Sequence, residues 1–239
     1  RRRCRKRHDT TIPAENLRLA PMETHTMKRI AALFACALTL AATLIPMPAA
    51  HAALLEGNVF QPNGENLIIQ PPAGWRLAYM NGDPNGDYVV EFMPQNESHD
   101  SWREGYMSVQ RGAASVSPGV HLSTQIVQRV LQGAQNSCAG HFTPMKQKDS
   151  MTNGAYTSIS GGFCDRYSAA AAPFGEGSLV AVIEGTKNLF LVQFGWRPST
   201  PNELNGYPLR ITPQRLQVLL DQINRAMLCG GTDQLVCPR

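Results

Sequence analysis

The segment 96–110, NESHDSWREGYMSVQ, holds the densest group of residues that could do chemistry: Glu97, His99, Asp100, Glu104 and Trp102. Carboxylates beside a histidine are the groups that general acid–base catalysis uses. From Gly105 onward, however, the side chains alternate as in a strand, and residues 95–100 are typical of a solvated turn. We therefore predict an interaction surface rather than an active site, formed by Trp102, His99, Arg103 and Tyr106.

Other candidate chemical groups are scattered along the chain. The histidines after residue 52 do not lie in metal-ligand spacings such as H-x-x-H; they are His99, His121 and His141. Neither a G-x-S-x-G elbow nor a phosphate-binding glycine motif occurs there. Glu91 lies in an apolar strand, and we expect it to pair with Arg103 or Arg111. The sequence thus predicts no catalytic residue, no metal site and no cofactor.

Four cysteines follow residue 52, and an even number in an exported protein suggests disulfides. Four cysteines allow three pairings. A hairpin around the Asn-Gly turn of 151–154 brings Cys138 close to Cys164, and a short Gly-Gly loop separates Cys229 from Cys237. We therefore predict the bridges Cys138–Cys164 and Cys229–Cys237.

The elements that position these residues are mostly short strands. Eight runs of strand length recur between turn-rich pieces: Asn66–Gln70, Trp75–Met80, Tyr88–Met93, Gly105–Gln110, 142–149, 155–163, Ser178–Gly185 and Leu189–Trp196. The last run is nearly all apolar, which favours a central strand covered on both faces. We expect Trp75 and Trp196 in the core and Trp102 partly exposed.

Two segments show helical spacing instead. One apolar stripe runs through 121–136. The second helix has Thr212 as its N-cap and Pro213 as its first residue, and it ends at Gly230 and Gly231. Hairpin-length connections between the strands predict an α+β domain, with an antiparallel sheet of about six to eight strands packed against two main helices.

Three short motifs resemble those of the Mog1/PsbP-like domains. They are Pro72-Ala73-Gly74-Trp75 opening a strand, 90-VEFMP-94, and Trp102 before the next strand. As a layout, the resemblance covers most of the chain after residue 52. It implies an antiparallel sheet flanked by helices and a binding or assembly role without catalysis, and it brings no shared catalytic residues.

The N-terminal part is typical of a secretory leader. Residues 27–52 combine a basic start, an apolar run and a small-residue ending, so we predict a signal peptide cleaved after Ala52. We interpret residues 1–26 as an upstream segment outside the native protein and 53–239 as one mature domain. That mature part has 13 Lys and Arg against 15 Asp and Glu, a formal net charge of −2, which argues against nucleic acid as a partner.

These observations predict an exported binding or accessory protein of the cell envelope, periplasmic or secreted, without catalytic activity. Its expected partner is another envelope protein, and no stable membrane anchor is expected after cleavage. One alternative is a carrier of a small apolar ligand between helix and sheet. A further alternative is an envelope hydrolase of unrecognised type.

Overall fold

The computed structural model describes residues 64–83, 86–99, 101–113, 119–167 and 172–230. Its main sheet has seven strands: β2 (Trp75–Gly82), β3 (Tyr88–Pro94), β4 (Tyr106–Ala113), β5 (Phe142–Thr152), β6 (Ala155–Cys164), β7 (Glu176–Glu184) and β8 (Asn188–Trp196). A separate pair consists of β1 (Asn66–Ile68) and β9 (Met227–Cys229). The predicted leader at 27–52, residues 1–26, Asp100 and Cys237 lie outside the described residues.

All neighbours in the main sheet are antiparallel, in the order β2-β3-β4-β8-β7-β6-β5. The apolar strand β8 lies at the centre, as its composition predicts. One sheet face, which we call the core face, carries cross-strand neighbours such as Val109, Val192 and Ala181, all buried. Alternation along each strand sends the remaining side chains to the opposite face. The predicted α+β class is confirmed.

Helix α1 (Leu122–Ser137) covers part of the opposite face, which we call the α1 face. Its buried Ile126 and Val127 pack with Val180 and Val182 of β7. This burial explains the apolar stripe seen in the sequence, because only one side of the helix contacts the sheet. No helix in the described ranges is long and apolar enough to cross a membrane.

Helix α2 (Pro213–Arg225) packs on the core face through Leu219 and Ile223. The Thr212 side chain accepts a hydrogen bond from the Arg215 amide at 3.2 Å, so the predicted N-cap is present.

The predicted end of this helix, at Gly230 and Gly231, is wrong. The helix stops at Arg225, and residues Met227–Cys229 pair with β1 as strand β9. Pairing with β1 buries Leu228 beside the core, whereas its neighbour Met227 is 38% exposed. Because β1 pairs with β9, it belongs to a second small sheet rather than to the main one.

The β5–β6 hairpin turns at Asn153 and Gly154, which both have positive φ, at 46° and 83°. This agrees with the Asn-Gly signal, because a two-residue hairpin turn of this kind needs two left-handed residues. The Asn153 side-chain amide also donates to the carbonyls of Asn224 and Ala226, at 3.1 and 2.8 Å. The hairpin tip is thereby fixed to the end of α2.

A disulfide joins Cys138, just after α1, to Cys164 at the end of β6, with Cα atoms 5.6 Å apart. This is the pairing predicted from the hairpin. Cys229 is also disulfide-bonded. Because Cys237 lies outside the described residues, the 229–237 bridge stays a prediction.

The buried carboxylate of Glu65 holds the β7–β8 turn. Its two oxygens accept the backbone N–H groups of Thr186, Lys187 and Asn188 at 2.6, 3.3 and 3.0 Å. A Cβ on Gly185 would lie only 2.0 Å from this carboxylate, so a side chain there would displace the carboxylate from the turn. The residue just before β1 therefore fixes the hairpin that contains the central strand.

We expect Glu65→Gln to lower the free energy of unfolding by about 2–4 kcal/mol, because an amide NH2 would replace one oxygen that accepts buried N–H donors. Urea unfolding of the variant and of the exposed control Glu104→Gln tests this. Equal stability of the two variants would show that Glu65 does not hold the turn.

Candidate functional site

The β3–β4 loop, residues 95–105, contains the acids noted in the sequence and is fixed by its own hydrogen bonds. The Glu97 carboxylate accepts the N–H groups of Arg103 and Glu104 at 3.0 and 2.6 Å. The Arg76 guanidinium of β2 donates to the carbonyls of Gln95 and Glu97. Glu97 is therefore a structural residue that closes the loop.

Trp102 lies under this loop and is only 8% exposed. Its ring contacts Tyr106 edge-on, with centroids 4.7 Å apart, and the Arg197 guanidinium stacks over it at 3.6 Å. The prediction that Trp102 is partly exposed is thus wrong, because Arg197, which follows the distant strand β8, covers it. Tyr106 is half-buried, and of the predicted surface residues His99 and Arg103 are exposed.

Arg197 joins the loop to the sheet. It forms an ion pair with Glu176 of β7 at 2.8 Å and donates to the Trp102 carbonyl at 3.3 Å. Its own backbone N–H donates to the Arg103 carbonyl at 3.1 Å. We call Arg197, Glu176 and Trp102 the loop clamp.

Burial shifts the pKa values of groups near the clamp. It raises the pKa of the Glu176 carboxyl, and the charge and hydrogen bond of Arg197 oppose that rise. It also raises the pKa of Tyr106 far above its usual range, assisted by the negative charges of Glu176 and Glu91. Tyr106 therefore stays neutral and acts as a hydrogen-bonding group, its oxygen accepting from Gln193 at 2.7 Å.

A polar row crosses the α1 face beside the clamp. Glu91 of β3, Ser108 of β4 and Gln193 of β8 are successive cross-strand partners. Ser108 is 3% exposed, and its hydroxyl has no hydrogen-bond partner within the described part of the chain. The polar row thus crosses strands β3, β4 and β8, and the β3–β4 loop contacts it through Trp102, which packs on Tyr106.

Glu91 pairs with His99 of the loop rather than with an arginine. Its carboxylate lies 2.8 Å from His99 Nδ1. Arg111 instead contacts the Gly86 carbonyl and the Tyr88 ring, with 4.6 Å to the ring centroid. The expected pairing with Arg103 or Arg111 is therefore wrong, because Arg111 is held by other partners and the loop returns His99, rather than Arg103, to Glu91.

His99 connects the polar row to the surface. Its ring stacks on Tyr79 of β2 with centroids 5.5 Å apart, and the His99 side chain is 61% exposed. In the neutral ring with Nδ1–H donating to Glu91, the other nitrogen is an acceptor on the exposed side; in the protonated ring both nitrogens are donors. Tyr79 and its neighbour Met80 are 40% and 43% exposed. We call Tyr79, Met80 and His99 the β2 lip.

Sequence reasoning missed the residues that define this lip and its support. Tyr79 and Met80 lie inside a predicted strand, where alternation does not distinguish an edge strand from an internal one. Glu176 is the first residue of β7 and Arg197 directly follows β8, both distant from the loop in sequence. One signal was available. Arg197 directly follows the apolar run of β8, and a charged side chain beside a buried strand is rarely buried without a partner.

His121 contributes to the fold rather than to the candidate site. His121 Nδ1 lies 3.1 Å from the Glu184 carboxylate, which also accepts the Ser123 N–H at 2.7 Å and so caps α1. The His121 ring stacks on Tyr156. Within the ranges that the structure describes, no three His, Cys, Asp or Glu residues come together as metal ligands do.

No protein-family profile and no curated protein matches the chain. Twelve chains of solved structures match it in a structural comparison. One is the solution structure of PsbP (CyanoP) from Synechocystis sp. PCC 6803, 12% identical, with a TM-score of 0.39 over 68% of this chain and 85% of that chain. Another is LpqN, "involved in cell envelope biogenesis of Mycobacterium tuberculosis", 13% identical, with a TM-score of 0.34 over 70% and 86%. The chain thus shows a weak PsbP-like resemblance, and its function is argued below from its own residues.

We expect Trp102→Ala to destabilise the fold by about 3–5 kcal/mol, since it removes a buried aromatic ring from the clamp. Chemical unfolding measures this, with the exposed neighbour Arg103→Ala as control. If Trp102→Ala were as stable as Arg103→Ala, Trp102 would have to be a surface residue rather than part of the clamp.

Replacing Arg197 with Gln should raise the pKa of Glu176 further, because burial then acts without the opposing charge. Because burial favours the protonated carboxyl, a raised folded-state pKa means that Glu176 contributes most to stability below its unfolded-state pKa. That contribution to the free energy of unfolding is lost as the pH rises through the folded-state pKa. Carbon-detected NMR titration of the carboxyl group measures the shift. Arg103→Gln is the control, and an equal pKa in both variants would refute the clamp.

Proposed function

We propose that this chain is an exported accessory protein of the cell envelope that acts by binding another protein, without catalysis. The leader-like pattern of residues 27–52 and the disulfide between Cys138 and Cys164 support export. The observation that carries the binding role is the contrast between the two edges of the main sheet. Strand β5 carries features that oppose further pairing, whereas the outer edge of β2 is unpaired among the residues that the structure describes.

The β5 edge carries the features by which proteins prevent edge pairing. Pro144 lies within the strand and offers no N–H, and the register shifts between Met145 and Lys148. Lys146 and Lys148 are both exposed. A charged side chain on an edge strand opposes its addition to another sheet.

The β2 edge lacks these protections except for one register shift between Leu77 and Tyr79. Its sequence, WRLAYMNG, contains no proline and no lysine. Its single cation, Arg76, is held by the β3–β4 loop through the carbonyls of Gln95 and Glu97. Among described residues β2 pairs only with β3. Strand β2 therefore presents a main-chain edge beside exposed side chains.

The matching partner segment is an extended strand. Main-chain hydrogen bonds of an added strand supply affinity, and alternate side chains supply specificity. Tyr79 is a cross-strand neighbour of Glu91 on the α1 face, while Met80 is a neighbour of Val90 on the core face. An added strand would therefore place side chains beside Tyr79 and Met80 in turn. Apolar or aromatic residues fit there, each pair contributing about 0.2–1 kcal/mol.

Photo-crosslinking in the source organism tests this proposal. A benzoylphenylalanine replaces Tyr79 in the full chain, and the control places it at Met151, which is 65% exposed on the blocked strand β5. We expect a discrete adduct with one envelope protein from position 79 and none from position 151.

A second variant tests the edge itself. For this test the benzoylphenylalanine replaces Met80, from which we expect the same adduct. Tyr79→Lys places a charge on strand β2 and should abolish that adduct, while Met151→Lys leaves it intact. An adduct that survives Tyr79→Lys, or one that forms equally well from position 151, would refute binding through the β2 lip.

A further inference from the structure

An apolar cleft of about 350 Å³ lies at the opposite edge of the sheet from the β2 lip. Strand β5 forms one wall with Pro144 and Met145, and the loop before α2 forms another with Tyr207 and Leu209. Leu216 of α2 closes the far side. We call this feature the β5–α2 cleft. Its volume is in the range of small-molecule sites, which are about 300–1,000 Å³.

The chemistry of the wall selects against charged ligands. None of the described lining residues is charged, and the only side-chain hydroxyls are those of Thr143 and Tyr207. Three lining residues are prolines: Pro144, Pro208 and Pro213. Proline has no backbone N–H, so these positions leave no unpaired donor facing an apolar ligand.

The wall is held in place before any ligand binds. The buried Trp196 indole N–H donates to the Leu209 carbonyl at 2.8 Å. Arg210 has a left-handed backbone, with φ at 52°, and its guanidinium donates to the carbonyls of Pro201 and Glu203 at 3.1 and 2.8 Å. A site formed in advance loses less conformational entropy on binding.

We propose that the β5–α2 cleft binds an uncharged, mostly apolar small molecule with one polar group at its outer end. At the packing density of proteins and organic crystals, 350 Å³ accommodates about 18 non-hydrogen atoms. The polar group would meet the Tyr207 hydroxyl, because Tyr207 is 39% exposed. An added strand is the competing occupant, and Pro144, Lys146 and Lys148 of β5 argue against it.

A matched pair of fluorescent probes tests the class of ligand. N-phenyl-1-naphthylamine is neutral and apolar, and 8-anilino-1-naphthalenesulfonate has the same rings with a sulfonate. We expect the full chain to bind the neutral probe at a single site with a dissociation constant of about 10–100 µM. The anionic probe should bind at least about tenfold more weakly, because the described wall of the cleft offers no charge partner.

Two tyrosines of nearly equal exposure provide the matched variants, Tyr207 at 39% and Tyr79 at 40%. Tyr207→Lys places a charge in the cleft and should lower the affinity for the neutral probe about tenfold, while Tyr79→Lys should change that affinity by less than about twofold. Leu216→Trp fills the cleft and should also lower the affinity for the neutral probe. Thermal unfolding of each variant establishes that it is folded.

The outcomes are distinct. Absence of saturable binding, stronger binding of the anionic probe, or equal effects of the two tyrosine variants would each overturn the cleft proposal. The crosslink from the β2 lip provides the converse readout, since it should be lost in Tyr79→Lys and kept in Tyr207→Lys. Failure of the ligand proposal therefore leaves the protein-binding proposal standing, and the reverse also holds.

Discussion

Arg197 stacks on Trp102 while its guanidinium pairs with Glu176, and this interaction positions the β3–β4 loop and the β2 lip. A charge that is partly removed from water needs a partner, and here the ion pair and the aromatic face supply it together. The pair also fixes the β3–β4 loop against the α1 face. Once the loop is fixed, His99 lies between Glu91 and Tyr79, and the β2 lip has a single defined form.

The two ends of the sheet then differ in what they present. At one end, β2 has exposed Tyr79 and Met80 and a main-chain edge that no described residue pairs with. At the other, β5 has a proline and two exposed lysines, and an apolar cleft lies beside it. If the proposed strand addition occurs, this contrast would confine it to the β2 edge and would favour one partner over an open chain of copies.

Much of this fold is predictable from local pattern. The apolar run of β8, the Asn-Gly turn at 153–154 and the N-cap at Thr212 each depend on neighbouring residues, and each is where the sequence places it. The errors concern distant partners. Trp102 is covered by a residue 95 positions away. The residues after Arg225 leave the helix because β1, at the other end of the domain, pairs with them. The candidate site shows both cases. Its acids and Trp102 lie in one short segment and were visible in the sequence. The exposure of Tyr79 was not, because it depends on β2 being an edge strand.

Amide hydrogen exchange in β2 tests most directly whether a partner strand adds to this edge. NMR would follow the full chain alone and with the partner segment recovered by crosslinking at position 79. Our account predicts that β2 amides that exchange quickly in the free protein become protected by about tenfold or more, while those of β5 are unchanged. Protection confined to β5 or α1, with β2 still exchanging freely, would contradict it.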